Sequence, residues 1–212
     1  GMFYNYSMEK IRKTNTDDTF KHALFALLDN NDYSDIGVND ICAKAGFSKQ
    51  TFYRLYGNKD EFVQHIIQDE IDKYQACVDK LSKETSGINK PEDIDKLRLS
   101  VFKHIYNRRK YYHYLFKYSC FFGFRIKLVE LLKVSEKLPI FLFSNADAED
   151  YNLEYLNIIS TYFSYASIEF YINSNFSYTP EEMASFYYKT LKYTSFVTLN
   201  DLGLTYNNIK NK

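Results

Sequence analysis

The first strong pattern along the chain is Phe20, Ala23, Leu24, Leu27 and Leu28, whose i, i+3, i+4, i+7, i+8 spacing puts one apolar stripe on a helix. Asn15 or Thr16 can cap its start, leaving Asp17 and Asp18 in the first turn, where the helix dipole favours acids. The polar run from Asp29 to Asp32 ends it. A short helix is predicted over 38–45 with a stop at Gly46, and a second runs from a Ser48 cap to Tyr56 with a stop at Gly57. Asn58-Lys59-Asp60-Glu61 reads as a capping box. It opens a long helix along Val63, Ile67, Ile71, Tyr74, Val78 and Leu81. After a loop over 82–90, Pro91 suits a first helical position. Helical spacing then continues through Leu97, Val101 and Ile105 towards Lys137, with breaks at Arg108 and Cys120. Connections are expected at 138–139 and 145–150, and a helix over 153–173. Thr179-Pro180-Glu181-Glu182 starts a last helix reaching Leu199, with a frayed tail after Gly203.

Composition narrows the class. The 212 residues hold only 7 Gly and 3 Pro, too little punctuation for the turns of an all-β protein, so an all-α fold is expected. No apolar stretch is long enough to cross a membrane, and no membrane partner is expected. Cys42, Cys77 and Cys120 fall in no metal or redox spacing and read as buried thiols in a reducing cytosol, which makes the expected location cytoplasmic. The four histidines are scattered, and neither a nucleophile elbow nor a phosphate-cradling glycine loop occurs. No catalytic residue, metal or cofactor is therefore expected.

The most informative segment runs from Asp40 to Tyr56. Two short helices meeting across a glycine turn have the spacing of a helix-turn-helix. Cys42 is small where the helices approach, and Gly46 permits a left-handed turn. Ile41, Ala45, Phe47, Phe52 and Leu55 are spaced as a miniature core. Lys49, Gln50, Thr51 and Arg54 are left pointing outward from the second helix, which suits a helix entering a major groove.

The Ile-x-x-x-Ala-Gly turn, the Ser-x-x-Thr-Phe-Tyr helix and the Tyr-Gly-Asn-Lys-Asp-Glu-Phe junction, following the stripe from Phe20, resemble the TetR/AcrR family of bacterial transcription regulators over about Arg12 to Ile67. The resemblance implies an N-terminal three-helix DNA-binding domain at 9–60 and a helical effector-binding and dimerisation domain at 61–203. It makes Lys49, Gln50 and Thr51 contacts to bases or adjacent phosphates, flanked by Ser48 and Arg54. Tyr53 and Lys59 become phosphate contacts, with Thr16, at the first helix's N-terminus, as another. The family usually has Thr or Ser before the second helix; here Gly37 is followed by Val38 and Asn39, and Asn39 is the candidate substitute.

Charge supports DNA binding only locally. Residues 1–70 carry 8 Lys/Arg against 11 Asp/Glu, yet 41–59 contain Lys44, Lys49, Arg54 and Lys59 and no acid. Beyond residue 70 the resemblance fades. The stretch 103–137 carries nine Lys/Arg against Glu130 and Glu136, while 138–188 carries seven acids and no base. One reading is an anionic effector held by Arg108, Arg109 or Arg125 beside Tyr112 and Phe116; the other is solvated faces and cross-helix ion pairs. The helix over 153–173 is apolar on almost every side and must be covered on more than one face. Family analogy makes Ile159, Phe163, Ser167 and Phe170, with Phe186 and Tyr193 of the following helix, a two-fold dimer interface. The expected function is a homodimeric repressor binding double-stranded DNA and released by an unidentified small-molecule effector. The alternative is a helical small-molecule-binding protein with a vestigial helix-turn-helix.

Overall fold

Where the chain places Gly, Pro and capping side chains decides the helix boundaries. The computed structural model describes residues 2–84, 91–135 and 153–201. Among these the helices are α1 (Met2–Leu28), α2 (Val38–Ala45), α3 (Lys49–Tyr56), α4 (Lys59–Glu84), α5 (Pro91–Asn107), α6 (Arg109–Lys117), α7 (Phe122–Ser135), α8 (Leu153–Asn173) and α9 (Pro180–Asp201). Single 3-10 turns occur at Tyr33–Asp35 and Ser119–Phe121, and the described residues contain no strand. The architecture is all-α, and no described helix is long and apolar enough to cross a membrane. The expected connections over 138–150 and the tail after Gly203 lie outside the described residues.

One expected boundary is corrected. Thr16 does not start α1; it lies in the helix, which reaches back to Met2. Nothing from Met2 to Asn15 is Gly or Pro, so no residue stops the helix from propagating through Thr16, and Thr19 Oγ1 donates to the Asn15 carbonyl at 2.8 Å within it.

The chain divides into two compact units. One comprises residues up to Glu70 together with Lys117–Gly123, the other Ile71–Phe116 and the chain from Phe124 onward. The division falls inside α4, beyond the 60/61 boundary expected from the sequence, and the short segment between α6 and α7 joins the N-terminal unit.

In that unit the core is organised on Phe20, which is fully buried. Its ring meets Phe47 at 5.3 Å, Phe52 at 5.4 Å, Tyr56 at 5.7 Å and Phe62 at 6.3 Å, mostly edge to face. Burying a ring such as Phe52 contributes about 2–3 kcal/mol. The miniature core is correspondingly redistributed. Ile41 and Phe52 are fully buried, but Phe47 is 38% exposed and only leans on Phe20, and Ala45 and Leu55 are half-buried. Residues 117–123 complete the unit: Phe121 packs 5.9 Å from Phe25, and Tyr118 Oη donates to Asp29 at 3.2 Å.

A second organising feature is polar. Lys21 is fully buried and paired with Asp17 and Asp69. Tyr56 Oη donates to Asp17 at 2.7 Å, and His65 Nε2 lies 2.9 Å from the same carboxylate oxygen. Burial acts to push the Asp17 carboxyl up. The bonds from His65, Lys21 and Tyr56, with the Lys21 charge, outweigh it and hold it well below the usual carboxylate range. Burial also opposes the charge on Lys21, and the two aspartates override it, raising its pKa. The cluster ties α1, the last residue of α3 and α4 together.

In the C-terminal unit α5 packs on α9 and α8 on α9, around Phe102, Ile105, Tyr112, Phe124, Ile168 and Tyr171. Over 155–164 helix α8 inverts the usual pattern. Its buried positions include Ser160, Thr161 and Ser164, whereas Tyr155, Ile158, Ile159, Tyr162 and Phe170 are 41–61% exposed. The hydroxyls are satisfied inside: Thr161 Oγ1 donates to the Asn157 carbonyl at 2.8 Å, and Ser164 Oγ lies 3.0 Å from Tyr187 Oη.

Candidate nucleic-acid interface

Helix α2 begins at Gly37, whose N–H donates to Asp40 Oδ2 at 2.8 Å, so an acid one turn ahead stabilises the start that lacks a hydroxyl. Asn39, two residues after this cap, is exposed. The helix ends at Gly46 with φ 72° and ψ 27°, a left-handed residue whose N–H, like that of Phe47, donates to the Cys42 carbonyl. Two residues later Ser48 caps α3. Its Oγ accepts from the Thr51 N–H at 3.2 Å and lies 3.0 Å from Thr51 Oγ1.

Helix α3 is eight residues long, and its sides are sharply divided. Phe52 and Tyr56 face the core, while Lys49, Gln50, Tyr53 and Arg54 are exposed and Thr51 is half-buried. Tyr53 is half-exposed, with its ring set edge-on against Phe52 at 5.9 Å. Gly57 then turns the chain with φ 78°; a Cβ there would lie 2.2 Å from Glu61 Oε2. Asn58 caps α4 through its Oδ1, which accepts from the Glu61 N–H at 2.9 Å, and its Nδ2 donates to Glu61 Oε1 at 2.9 Å.

Three expected site residues behave differently from the exposed row. Ser48 is exposed, but its oxygen is engaged in capping. Thr16 is half-buried within α1. Lys59 directs its ammonium to the carbonyls of Tyr33 and Ile36, at 2.8 Å each. Sequence reasoning missed this contact and the Lys21 cluster. The i, i+4 pair Asp17–Lys21 on the first helix was a readable sign of the cluster, whereas nothing local marks the carbonyls of Tyr33 and Ile36.

In the C-terminal unit the arginines expected at an effector are stacked on rings. Arg108 lies 4.6 Å from the Tyr111 ring centre, Arg109 4.7 Å from that of Tyr106, and Arg125 5.1 Å from that of Phe116, whose carbonyl it also binds. Tyr112 is fully buried and Phe116 nearly so. His104 lies edge-on between the rings of Tyr74 and Tyr112, at 6.1 and 6.0 Å, and its Nε2 is buried with no hydrogen-bond partner. Burial, with Arg108 and Lys73 nearby, pulls this imidazole down to about 4, so it is neutral at pH 7. Of the expected dimer residues, Ile159, Phe170 and Phe186 are 42–50% exposed, and Phe163 and Ser167 are half-buried. The side chain of Tyr193 lies outside the described residues.

Residues 22–66 match the family model of bacterial regulatory proteins, tetR family. No curated protein matches the chain. Solved structures do. A protein of Syntrophomonas wolfei described as a TetR-family transcriptional regulator is 13% identical with a TM-score of 0.61, covering 86% of this chain and 96% of its own. The fatty acid degradation regulator FadR of Bacillus halodurans is 14% identical with a TM-score of 0.59, covering 82% and 97%. A Clostridium perfringens protein described as a fatty acid metabolism regulator is 15% identical with a TM-score of 0.58, covering 80% and 94%. At these identities the likeness is one of fold.

Proposed function

Residues 22–66 make the chain a member of the tetR family of bacterial regulatory proteins, and on that premise we propose that it is a repressor that binds a palindromic operator as a homodimer and releases it when a small molecule occupies the C-terminal unit. The observation that carries the reading is the exposed row Lys49, Gln50, Tyr53 and Arg54 on a capped helix whose opposite side is fixed by Phe52 and Tyr56. Lys49, Gln50 and Thr51, in the first turn of α3, reach base edges or adjacent phosphates in the major groove. Tyr53 Oη donates to a phosphate, and Arg54, Ser48 and Asn39 flank it.

Dimerisation is supported by the inverted pattern of α8. A row of exposed Tyr, Ile and Phe backed by buried serines and a threonine gains by leaving water, and Phe186 of α9 extends the apolar surface. Two recognition helices related by a two-fold axis would read two half-sites. Release follows from linkage: a ligand favouring the DNA-incompetent conformation lowers operator affinity by its own differential affinity. For the ligand, His104 between Tyr74 and Tyr112 supplies a neutral polar anchor in aromatic surroundings. The fatty acid regulators of similar fold make a fatty acid the first probe to add.

The test is retention of fragments of the source genome on the purified protein in excess competitor DNA, followed by footprinting. Protected half-sites spaced by about one helical turn or more support the reading; a folded protein that retains no fragment above competitor overturns it.

A further inference from the structure

An ammonium has three donors and no acceptor, and the half-buried Lys59 directs two of its donors and one face of the group to the protein itself. Two carbonyls, of Tyr33 and Ile36, accept at 2.8 Å each, and the ring of Tyr33 covers the nitrogen at 4.0 Å from its centre. That ring is itself held, because Tyr33 Oη donates to Asp60 Oδ1 at 2.8 Å from the first turn of the same helix. The two carbonyls belong to the connection that ends in the buried Ile36 and passes directly into Gly37, the cap of α2.

We propose that Lys59 is a positioning residue and not a phosphate contact: with Tyr33 it clamps the 3-10 turn before α2 onto the first turn of α4, and so fixes where the helix-turn-helix begins. The ammonium ties together two segments that are distant in sequence. A phosphate contact would fall to the one N–H not bound to a carbonyl and would compete with the Tyr33 ring. The proposal rests on the DNA-binding reading for its affinity measurements only.

Each phosphate neutralised by a side chain contributes about 0.9 to the slope of log affinity against log salt. The experiment therefore measures operator affinity across a salt series for the full chain and for Lys59→Met, Tyr33→Leu and their double variant, each first shown to be folded by circular dichroism. Lys59→Met is expected to weaken binding about tenfold with the slope unchanged. Tyr33→Leu, which alters no charge, is expected to weaken it comparably, and the double variant to be no worse than either, since both act through one clamp. A slope reduced by about one in Lys59→Met, with Tyr33→Leu binding as the parent does, overturns the proposal.

A second measurement needs no DNA. The N–H groups of Asp35 and Ile36 donate within the turn, to Asp32 and Tyr33, at 3.0 and 3.3 Å. Their hydrogen exchange should accelerate about tenfold in Lys59→Met, and by less in Tyr33→Phe, which loses only the bond to Asp60. Unchanged exchange in both variants overturns the clamp. A parent protein that binds no duplex would count against the function proposed above and leave the exchange result to decide this one.

Discussion

The N-terminal and C-terminal units both bury cores of large rings, but α3 of the first and α8 of the second divide their side chains in opposite ways. Helix α3 of the N-terminal unit turns Phe52 and Tyr56 inside and leaves Lys49, Gln50 and Arg54 exposed. In α8 of the C-terminal unit, Ser160, Thr161 and Ser164 go inside ahead of Ile168, Tyr171 and Ile172, while Tyr155, Ile159, Tyr162 and Phe170 stay outside. The first leaves a polar face exposed and the second an apolar one. In the function proposed above these faces meet different partners, and substitutions aimed at each should separate their roles.

The largest effect is expected from the apolar face. Replacing both Ile159 and Phe170 with Glu should yield a folded monomer by analytical ultracentrifugation and lower operator affinity by about a hundredfold or more, because the second half-site is no longer held at high effective concentration. A variant that remains dimeric would remove α8 from the interface.

Next in size is the buried cation of the N-terminal unit. Lys21→Met leaves Asp17 and Asp69 facing each other without their counter-charge and should cost about 3 kcal/mol of unfolding free energy, measured by denaturant titration. A loss below about 1 kcal/mol would mean that water relieves the carboxylates and that the cluster does not organise the unit.

Acid should distinguish the units by pH window. His104 has its folded pKa pulled below that of the unfolded chain, down to about 4. The unfolded state therefore binds the extra proton between about pH 6.5 and 4, and stability falls as pH is lowered through that window, by roughly 2 kcal/mol. Asp17 is also depressed, but from the carboxylate range, so its contribution is present above about pH 4 and is lost only below it. Lys21 is raised; its contribution is present below the ordinary lysine range and is lost as alkali rises through the folded value. His104→Gln should flatten the upper window and leave the acid limb in place. A profile identical to the parent's between pH 6.5 and 4 would contradict the assignment.

The smallest effect in energy is the most specific in kind. Gln50→Ala should change binding by about tenfold at a single base position of each half-site and leave nonspecific affinity and the salt slope as they were. A uniform loss across all sequences would make Gln50 a backbone contact.

The same contrast explains what was legible in the sequence. Helix limits in the N-terminal unit are set by residues with local meaning, and Gly46, Ser48, Gly57 and the Asn58–Glu61 pair each act where the pattern puts them. Pro91 and Pro180 do the same for α5 and α9. Thr16 misled because a good cap residue also fits inside a helix, and only the absence of a breaker upstream tells the two apart. The contacts of Lys59 and the joining of 117–123 to the N-terminal unit were not legible, since both depend on carbonyls or rings far along the chain. In the C-terminal unit the all-round apolar character of α8 was readable, but which of its faces goes inside was not. The arginines singled out by charge are stacked on aromatic rings, and His104, whose Nε2 is buried without a hydrogen-bond partner, looks in sequence like any helix-surface histidine.

In the function proposed above, α3 reads DNA sequence. The most direct test of that reading is selection of bound duplexes from a random pool at about physiological salt, run side by side with the parent chain and the Lys49→Ala/Gln50→Ala variant. A two-fold symmetric motif is expected for the parent and loss of defined bases within each half-site for the variant. No enriched motif from folded, dimeric parent protein, or the same motif from both proteins, would contradict it.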